Sequence, residues 1–268
     1  MMAPTSICVN DPVVLRAATA SVPLLRCTAM SASRRRFLLA TFTVPIAAAV
    51  DLGAQLRTKQ PLKIAFIGSG HQGGALGLQL ARAGHEVMFS SRHPETLKGL
   101  VAKAGAKARA GLPAAAATWG EVVIIAVPYG AMPQIGKDFA PLMSGKVVID
   151  LSNPYADRDG PMASVALRKG TGVASAGYLP AVRLVRAFNA IGSEDLERDA
   201  HRTGAKRGIP IAGDDRAAVA TVAQLVQDAG FDPVIVGNLS RAREFDAGTR
   251  VYGVSLTARQ LREALKLR

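Results

Sequence analysis

"KIAFIGSGHQGGALGLQLARAGHEVMFSSRHPETL", Lys63 to Leu97, reads as a strand, a glycine turn, a helix and a second strand in unbroken succession. Leu62–Ile67 is apolar apart from Lys63, as a parallel strand buried on both faces should be. Gly68-Ser69-Gly70-His71-Gln72-Gly73 follows at once, and Ala75–Ala83 then shows helical spacing with Gly84 as its stop. Gly68 allows the tight turn, Gly70 lets the backbone approach a pyrophosphate, and Gly73 lets the helix pack closely on the strand. The unpaired N–H groups and partial positive charge of the helix N-terminus then face the phosphates. Such a glycine pattern is weak evidence alone. Here a strand precedes it, and a helix and the strand Glu86–Ser90 follow, so the reading is a dinucleotide-binding unit.

The end of the second strand selects the cofactor. A carboxylate there would bind the ribose 2′-hydroxyl and repel a 2′-phosphate. The chain instead offers Ser90, Ser91, Arg92 and His93, with Lys98 in the following helix. A planar guanidinium suits phosphate oxygens, whereas the plainer reading of Arg92 is a solvated loop residue. The expected cofactor is NADP(H).

Further strands follow: Glu121–Val127 ending at Pro128, Lys146–Leu151 ending at Ser152-Asn153-Pro154, Leu184–Phe188, Gly208–Ala212 and Pro233–Val236. Arg216–Ala229 is an amphipathic helix between the last two. Alternation of apolar strands with helices predicts an α/β, doubly wound Rossmann fold, its sheet mostly parallel with helices on both faces. Ligands on such sheets collect at the carboxyl ends of the strands. That rule brings Val127, Pro128, Tyr129, Asn153 and Asn189 around one crevice, although the prolines could simply end strands and Asn189 cap a turn.

Composition narrows the function classes. Hydrophobic residues make up 49% of the 268 and charged residues 20%, enough for a substantial core. The net charge is +13, of which seven basic and two acidic residues before residue 61 contribute +5. A basic surface favours anionic ligands, but no aromatic-interleaved basic patch or helix-turn-helix pattern points to nucleic acid. Both cysteines, Cys8 and Cys27, precede the body, and the histidines His71, His85, His93 and His201 lack metal-ligand spacing, so no metal site is expected.

Residues 1–54 read as a leader. Ser33-Arg34-Arg35-Arg36-Phe37-Leu38 has the form of a twin-arginine export signal, followed by an apolar stretch to about Val50 and small residues at Ala47–Ala49. Pro45 interrupts a run already shorter than the roughly 20 residues that span a bilayer, so no stable membrane insertion is expected after cleavage. Met30 immediately precedes the motif and is the alternative start. The expected location is periplasmic or exported, or cytoplasmic if the leader does not function; an uncleaved hydrophobic tail is the plainer alternative.

Three stretches, "IAFIGSGHQGGALGLQLARAGHEVMFSSR" (64–92), "VVIIAVP" (122–128) and "IPIAGDDRAAVATVAQLVQDAGFDPVIVGNLSRAREFD" (209–246), together resemble the deazaflavin-dependent NADP reductases, which use coenzyme F420. The cytosolic domain of STEAP-type metalloreductases is similar. The resemblance covers 62–246, an NADP-binding domain, and leaves 247–268 as a short tail. It implies that Ser69 and Gln72 contact the phosphates, that Ser91 and Arg92 take the 2′-phosphate, and that Val127 and Pro128 line the nicotinamide end. The tail differs from the family, which builds its deazaflavin pocket from a hydrophobic helical segment; here it holds Ala247–Val254 and a short basic helix at Thr257–Leu267.

Hydride transfer from NADPH to a bound acceptor, coenzyme F420 or a flavin, requires no protein nucleophile, and the chain shows no nucleophile–base pattern. His71, Tyr129 and Asn153 are the polar groups expected to orient the nicotinamide or the acceptor. The nucleotide set is thus Gly68, Ser69, Gly70, His71, Gln72, Gly73, Ser91, Arg92, His93, Val127, Pro128 and Asn153. The alternative is a non-enzymatic NADPH-binding sensor or partner subunit. A small-molecule redox acceptor is the expected partner, and the oligomeric state is open, a homodimer included.

Overall fold

A computed structural model of the chain describes residues 60–267. The leader and its twin-arginine motif lie outside the described residues. In chain order the regular elements are β1 (Lys63–Ile67), α1 (His71–Arg82), β2 (Glu86–Ser90), α2 (Lys98–Ala104), β3 (Ala108–Gly111), α3 (Pro113–Trp119) and β4 (Val122–Ile125). Then come α4 (Met132–Phe139), β5 (Val147–Asp150), α5 (Ala156–Asp159), α6 (Pro161–Lys169), α7 (Thr171–Tyr178) and β6 (Arg183–Arg186). The chain closes with α8 (Ser193–Asp199), β7 (Gly208–Gly213), α9 (Arg216–Asp228), β8 (Asp232–Gly237) and α10 (Ala258–Ala264).

The strands form one sheet of order β3-β2-β1-β4-β5-β6-β7-β8. All neighbours run parallel except β6 and β7, which pair antiparallel through Val185 with Gly213 and Arg186 with Ala212. The chain reverses direction across the sheet between β1 and β4, the switch point at which ligands of doubly wound sheets bind. The α/β Rossmann architecture expected from the sequence is the one observed.

Alternation along β1 shows why the strands are apolar throughout. Ile64 and Phe66 face one layer with Leu76 and Leu80 of α1 and Val222 and Leu225 of α9. Ala65 and Ile67 face the other, with Ala116 of α3 and Met132 and Ile135 of α4. Phe66 stacks on Phe89 of β2 with ring centroids 5.7 Å apart. Asp215 caps α9, its carboxylate accepting from Ala218 N–H at 2.7 Å.

Three local features differ from the sequence reading or go beyond it. β3 carries no apolar run, because as an edge strand it is half-exposed or exposed along its whole length. The strand expected over Leu184–Phe188 ends instead at Arg186, and Phe188 turns the chain out of it with φ +60°. The tail packs against the body: Val251, Leu261 and Leu265 are buried in one cluster with Val234 and Val236 of β8, and α10 packs on β7 and β8. A capping box between Thr257 and Gln260 starts that helix. Among the described residues no helix is long and apolar enough to cross a membrane.

Candidate functional site

Parallel strands put the loops after β1, β4, β5 and β6 at one edge of the sheet, where two clefts meet. The first, about 610 Å³, is lined by the glycine turn, Ser91, Arg92, Thr96, Ile135 and Phe139. The second, about 680 Å³, is lined by His71, Gln72, Asn153, Tyr155, Asn189 and Tyr252 among others. Gly70, Val127 and Pro128 belong to both, so the clefts are continuous across the switch point.

The three glycines of the turn do different work. Gly68 has φ +92°, and a Cβ there would lie 2.5 Å from the Ala126 carbonyl oxygen. A Cβ on Gly73 would lie 2.3 Å from the Gly68 carbonyl oxygen, so both positions are closed by the protein itself. A Cβ on Gly70 would meet nothing within 4 Å. The space beside Gly70 belongs to the cleft. Ser69 Oγ is shielded from solvent without a hydrogen-bond partner among the described residues. An unpaired hydroxyl beside an open glycine at a helix N-terminus fits a phosphate-bearing ligand. The donor set therefore suits a dinucleotide.

At the end of β2, Arg92 is exposed and makes no hydrogen bond or ion pair among the described residues, so its guanidinium is available to an anion in the first cleft. Ser91 Oγ accepts from His93 N–H at 3.0 Å and keeps its own hydrogen for a ligand. Ser90 is different: it is buried and donates to the Phe66 carbonyl at 2.6 Å. His93 lines neither cleft and points to solvent, 3.5 Å from Glu95.

Two residues read as ligand contacts are placed otherwise. The Gln72 amide donates to the Phe188 carbonyl at 3.1 Å and to the Ile191 carbonyl at 2.7 Å, tying α1 to the loop after β6. Only its oxygen is left for the cleft. Tyr129 is fully buried and lines neither cleft, so the expectation that it orients nicotinamide or acceptor is corrected. Residue 129 opens the one-turn helix after β4, and its side chain is buried there. Burial pushes its phenol up to about 12, with Ser175 pulling the other way, although the hydroxyl makes no hydrogen bond of ordinary geometry.

Beneath the second cleft lies a charged group that the sequence reading did not find. Arg186, wholly buried at the end of β6, sits 3.0 Å from Asp150 and 3.2 Å from Asp246. It also donates to the Ser152 carbonyl at 2.6 Å, while Asp150 accepts from Ser175 at 2.7 Å and Asp246 from Thr171 N–H at 2.9 Å. The signal available was an arginine and an aspartate ending two apolar strands, where a buried charge needs a partner. At the rim, Arg158 Nη2 donates to the Asn153 carbonyl at 2.6 Å and pairs with Asp159 at 2.8 Å. Burial pushes the Asp159 carboxyl up, but Arg158 and the N–H groups of Tyr155 and Gly130 outweigh it and hold it below the ordinary range. Among the described residues no group of three His, Cys, Asp or Glu side chains could hold a metal ion.

Residues 63–154, about a third of the chain, match the family described as coenzyme F420-dependent NADP oxidoreductase. The chain is 29% identical over 192 residues to metalloreductase STEAP3 of Rattus norvegicus, covering 70% of this chain and 36% of that protein. It therefore spans about a third of the length of that curated relative. A hypothetical protein from Sinorhizobium meliloti superposes with TM-score 0.62 at 23% identity, covering 76% of this chain and 98% of the other. An F420-dependent NADP reductase structure from Arthrobacter sp. FB24 gives 0.59 at 24% identity, covering 68% and 87%. These likenesses establish a Rossmann fold for the described chain, and residues 63–154 carry the sequence pattern of the F420-dependent NADP oxidoreductases.

Proposed function

We propose that the protein is an NADP(H)-dependent oxidoreductase, with the nucleotide along the glycine turn and its redox acceptor in the second cleft. The observation that carries this reading is the continuity of the two clefts through Gly70, Val127 and Pro128, with a free guanidinium at one end and a polar, tyrosine-lined chamber at the other. NADPH, when bound, supplies a hydride. Arg92 and Ser91 would hold the 2′-phosphate, Ser69 and the α1 N-terminus the pyrophosphate, and Val127 and Pro128 would wall the nicotinamide end. The protein's part is placement and exclusion of water rather than covalent chemistry. Participation of the tail in the second cleft, through Tyr252 and Gly253, favours an enzyme over a binding module. The acceptor is read as F420, a flavin or a similar conjugated ring.

The test is NADPH consumption by the purified protein with F420, flavin and quinone acceptors. Oxidation with at least one is expected. NADPH binding without oxidation by any of them would assign a sensor or partner subunit instead. Export by the twin-arginine route is part of the proposal, resting on Ser33–Leu38 alone. Arg34→Lys with Arg35→Lys keeps the charge and should hold the protein in the cytoplasm, and unchanged export would remove this part.

A further inference from the structure

The second cleft contains a hydrogen-bonded chain of side chains that runs from Asn189 through Asn153 and Tyr252 to Tyr155. Asn189 Nδ2 donates to the Phe245 carbonyl at 3.2 Å, an atom that can only accept. The same nitrogen lies 3.4 Å from Asn153 Oδ1, and Arg186, a donor only, lies 3.5 Å from that oxygen. Both neighbours require the oxygen of Asn153 on that side, so its amide cannot be flipped. Asn153 Nδ2 then gives one hydrogen to the Asn189 carbonyl at 2.9 Å and the other to Tyr252 Oη at 3.2 Å.

Tyr252 is half-buried, and its hydroxyl has one further partner, the Tyr155 hydroxyl. Tyr252 Oη accepts from Asn153, and Tyr155 Oη is the one acceptor among the described residues for its own hydrogen, although either hydroxyl can donate in that contact. With Tyr252 donating, Tyr155 accepts and its own hydrogen is free for a ligand in the cleft that Tyr155 lines. Tyr155 is 38% exposed, with the Arg158 guanidinium 5.0 Å from its ring centre and its own N–H held by Asp159 at 2.9 Å. The chain ends in a hydroxyl that lines the cleft.

We propose that Tyr155 is the residue that hydrogen-bonds the redox acceptor, and that Asn153 and Tyr252 are positioning residues that aim its hydrogen. The ligand class is a conjugated acceptor with an electronegative atom, a carbonyl oxygen or ring nitrogen, that gains electron density as the ring is reduced. Such a donor acts where charge develops, so it should matter more to turnover than to binding. This inference rests on the oxidoreductase reading of the second cleft. Burial and the contact with Tyr155 raise the Tyr252 phenol well above its ordinary value, so it stays protonated and neutral.

The experiment measures three quantities on the full chain and on Tyr155→Phe, Tyr252→Phe and Asn153→Asp. They are NADPH affinity, affinity for F420 and FMN by absorbance perturbation without nucleotide, and kcat with each acceptor. Tyr155→Phe should leave NADPH affinity unchanged, weaken acceptor binding several-fold and lower kcat by roughly ten- to a hundredfold. Tyr252→Phe, which keeps the ring but frees Tyr155 from its guide, should show a smaller loss in the same direction. The F420 and FMN arms distinguish which ring carries the recognised atom. Unchanged acceptor binding and kcat in Tyr155→Phe overturn the proposal, as does failure of both rings to bind a wild-type protein that does bind NADPH. Failure of the wild type to bind NADPH overturns the nucleotide reading instead, and Tyr155 is then judged on acceptor binding alone.

Discussion

The two clefts are built on different principles. The first cleft is made mostly of backbone: three glycines, a helix N-terminus and a serine hydroxyl within six consecutive residues, with Arg92 a strand further on. The second cleft is made of side chains that meet from far apart. Asn153 reaches Tyr252 across 99 positions, and Arg186 reaches Asp246 across 60. One half can be altered residue by residue with local consequences. In the other, each polar group holds its neighbour in place, so an isolated change propagates.

The largest effect should come from the buried charges. Arg186→Leu leaves Asp150 and Asp246 buried without the cation that both contact, and stability should fall by about 3–5 kcal/mol, read from the denaturant midpoint. A loss under about 1 kcal/mol would mean that the triad contributes little to holding the second cleft together.

The glycine turn offers a sharper contrast. Gly73→Ala forces a Cβ against the Gly68 carbonyl and should destabilise the protein by about 1–3 kcal/mol. Gly70→Ala meets nothing in the protein, so Tm should hold while NADPH affinity drops roughly tenfold, about 1.4 kcal/mol. Equal loss of stability in both variants would contradict the division between glycines required by the fold and the one required by the ligand.

How much of this was legible follows from the same contrast. The strand–turn–helix at Ile64–Arg82 could be read because each step depends on near neighbours: apolar alternation, a left-handed glycine, a helix start. The side-chain network of the second cleft could not be read because nothing in "NPYADRD" or "TRVYGV" announces that Tyr155 and Tyr252 will touch. Tyr129 shows the limit most plainly. Its place after β4 suggested the cleft, yet the turn that follows carries it into the core, which only tertiary geometry decides.

The smallest effect concerns that residue. The folded protein raises the Tyr129 phenol from 10.0 to about 12, so the native state retains a proton that the unfolded chain releases. Its contribution is fully present below pH 10 and is lost as pH rises toward 12. Tyr129→Phe should make the decline in stability over that window shallower while leaving stability near neutrality unchanged or slightly higher, because an unpaired hydroxyl is removed. Turnover should change only modestly. A thousandfold loss would place Tyr129 in the chemistry.

The central claim is that the first cleft holds a dinucleotide by its 2′-phosphate, and titration of NADPH and NADH into the full-length protein and Arg92→Ala tests it most directly. A charge-assisted phosphate contact is worth about 1.5–3 kcal/mol, so NADPH should bind roughly ten- to a hundredfold more tightly than NADH, and Arg92→Ala should remove most of that preference without weakening NADH. Equal affinity of the unaltered protein for the two nucleotides would contradict the account.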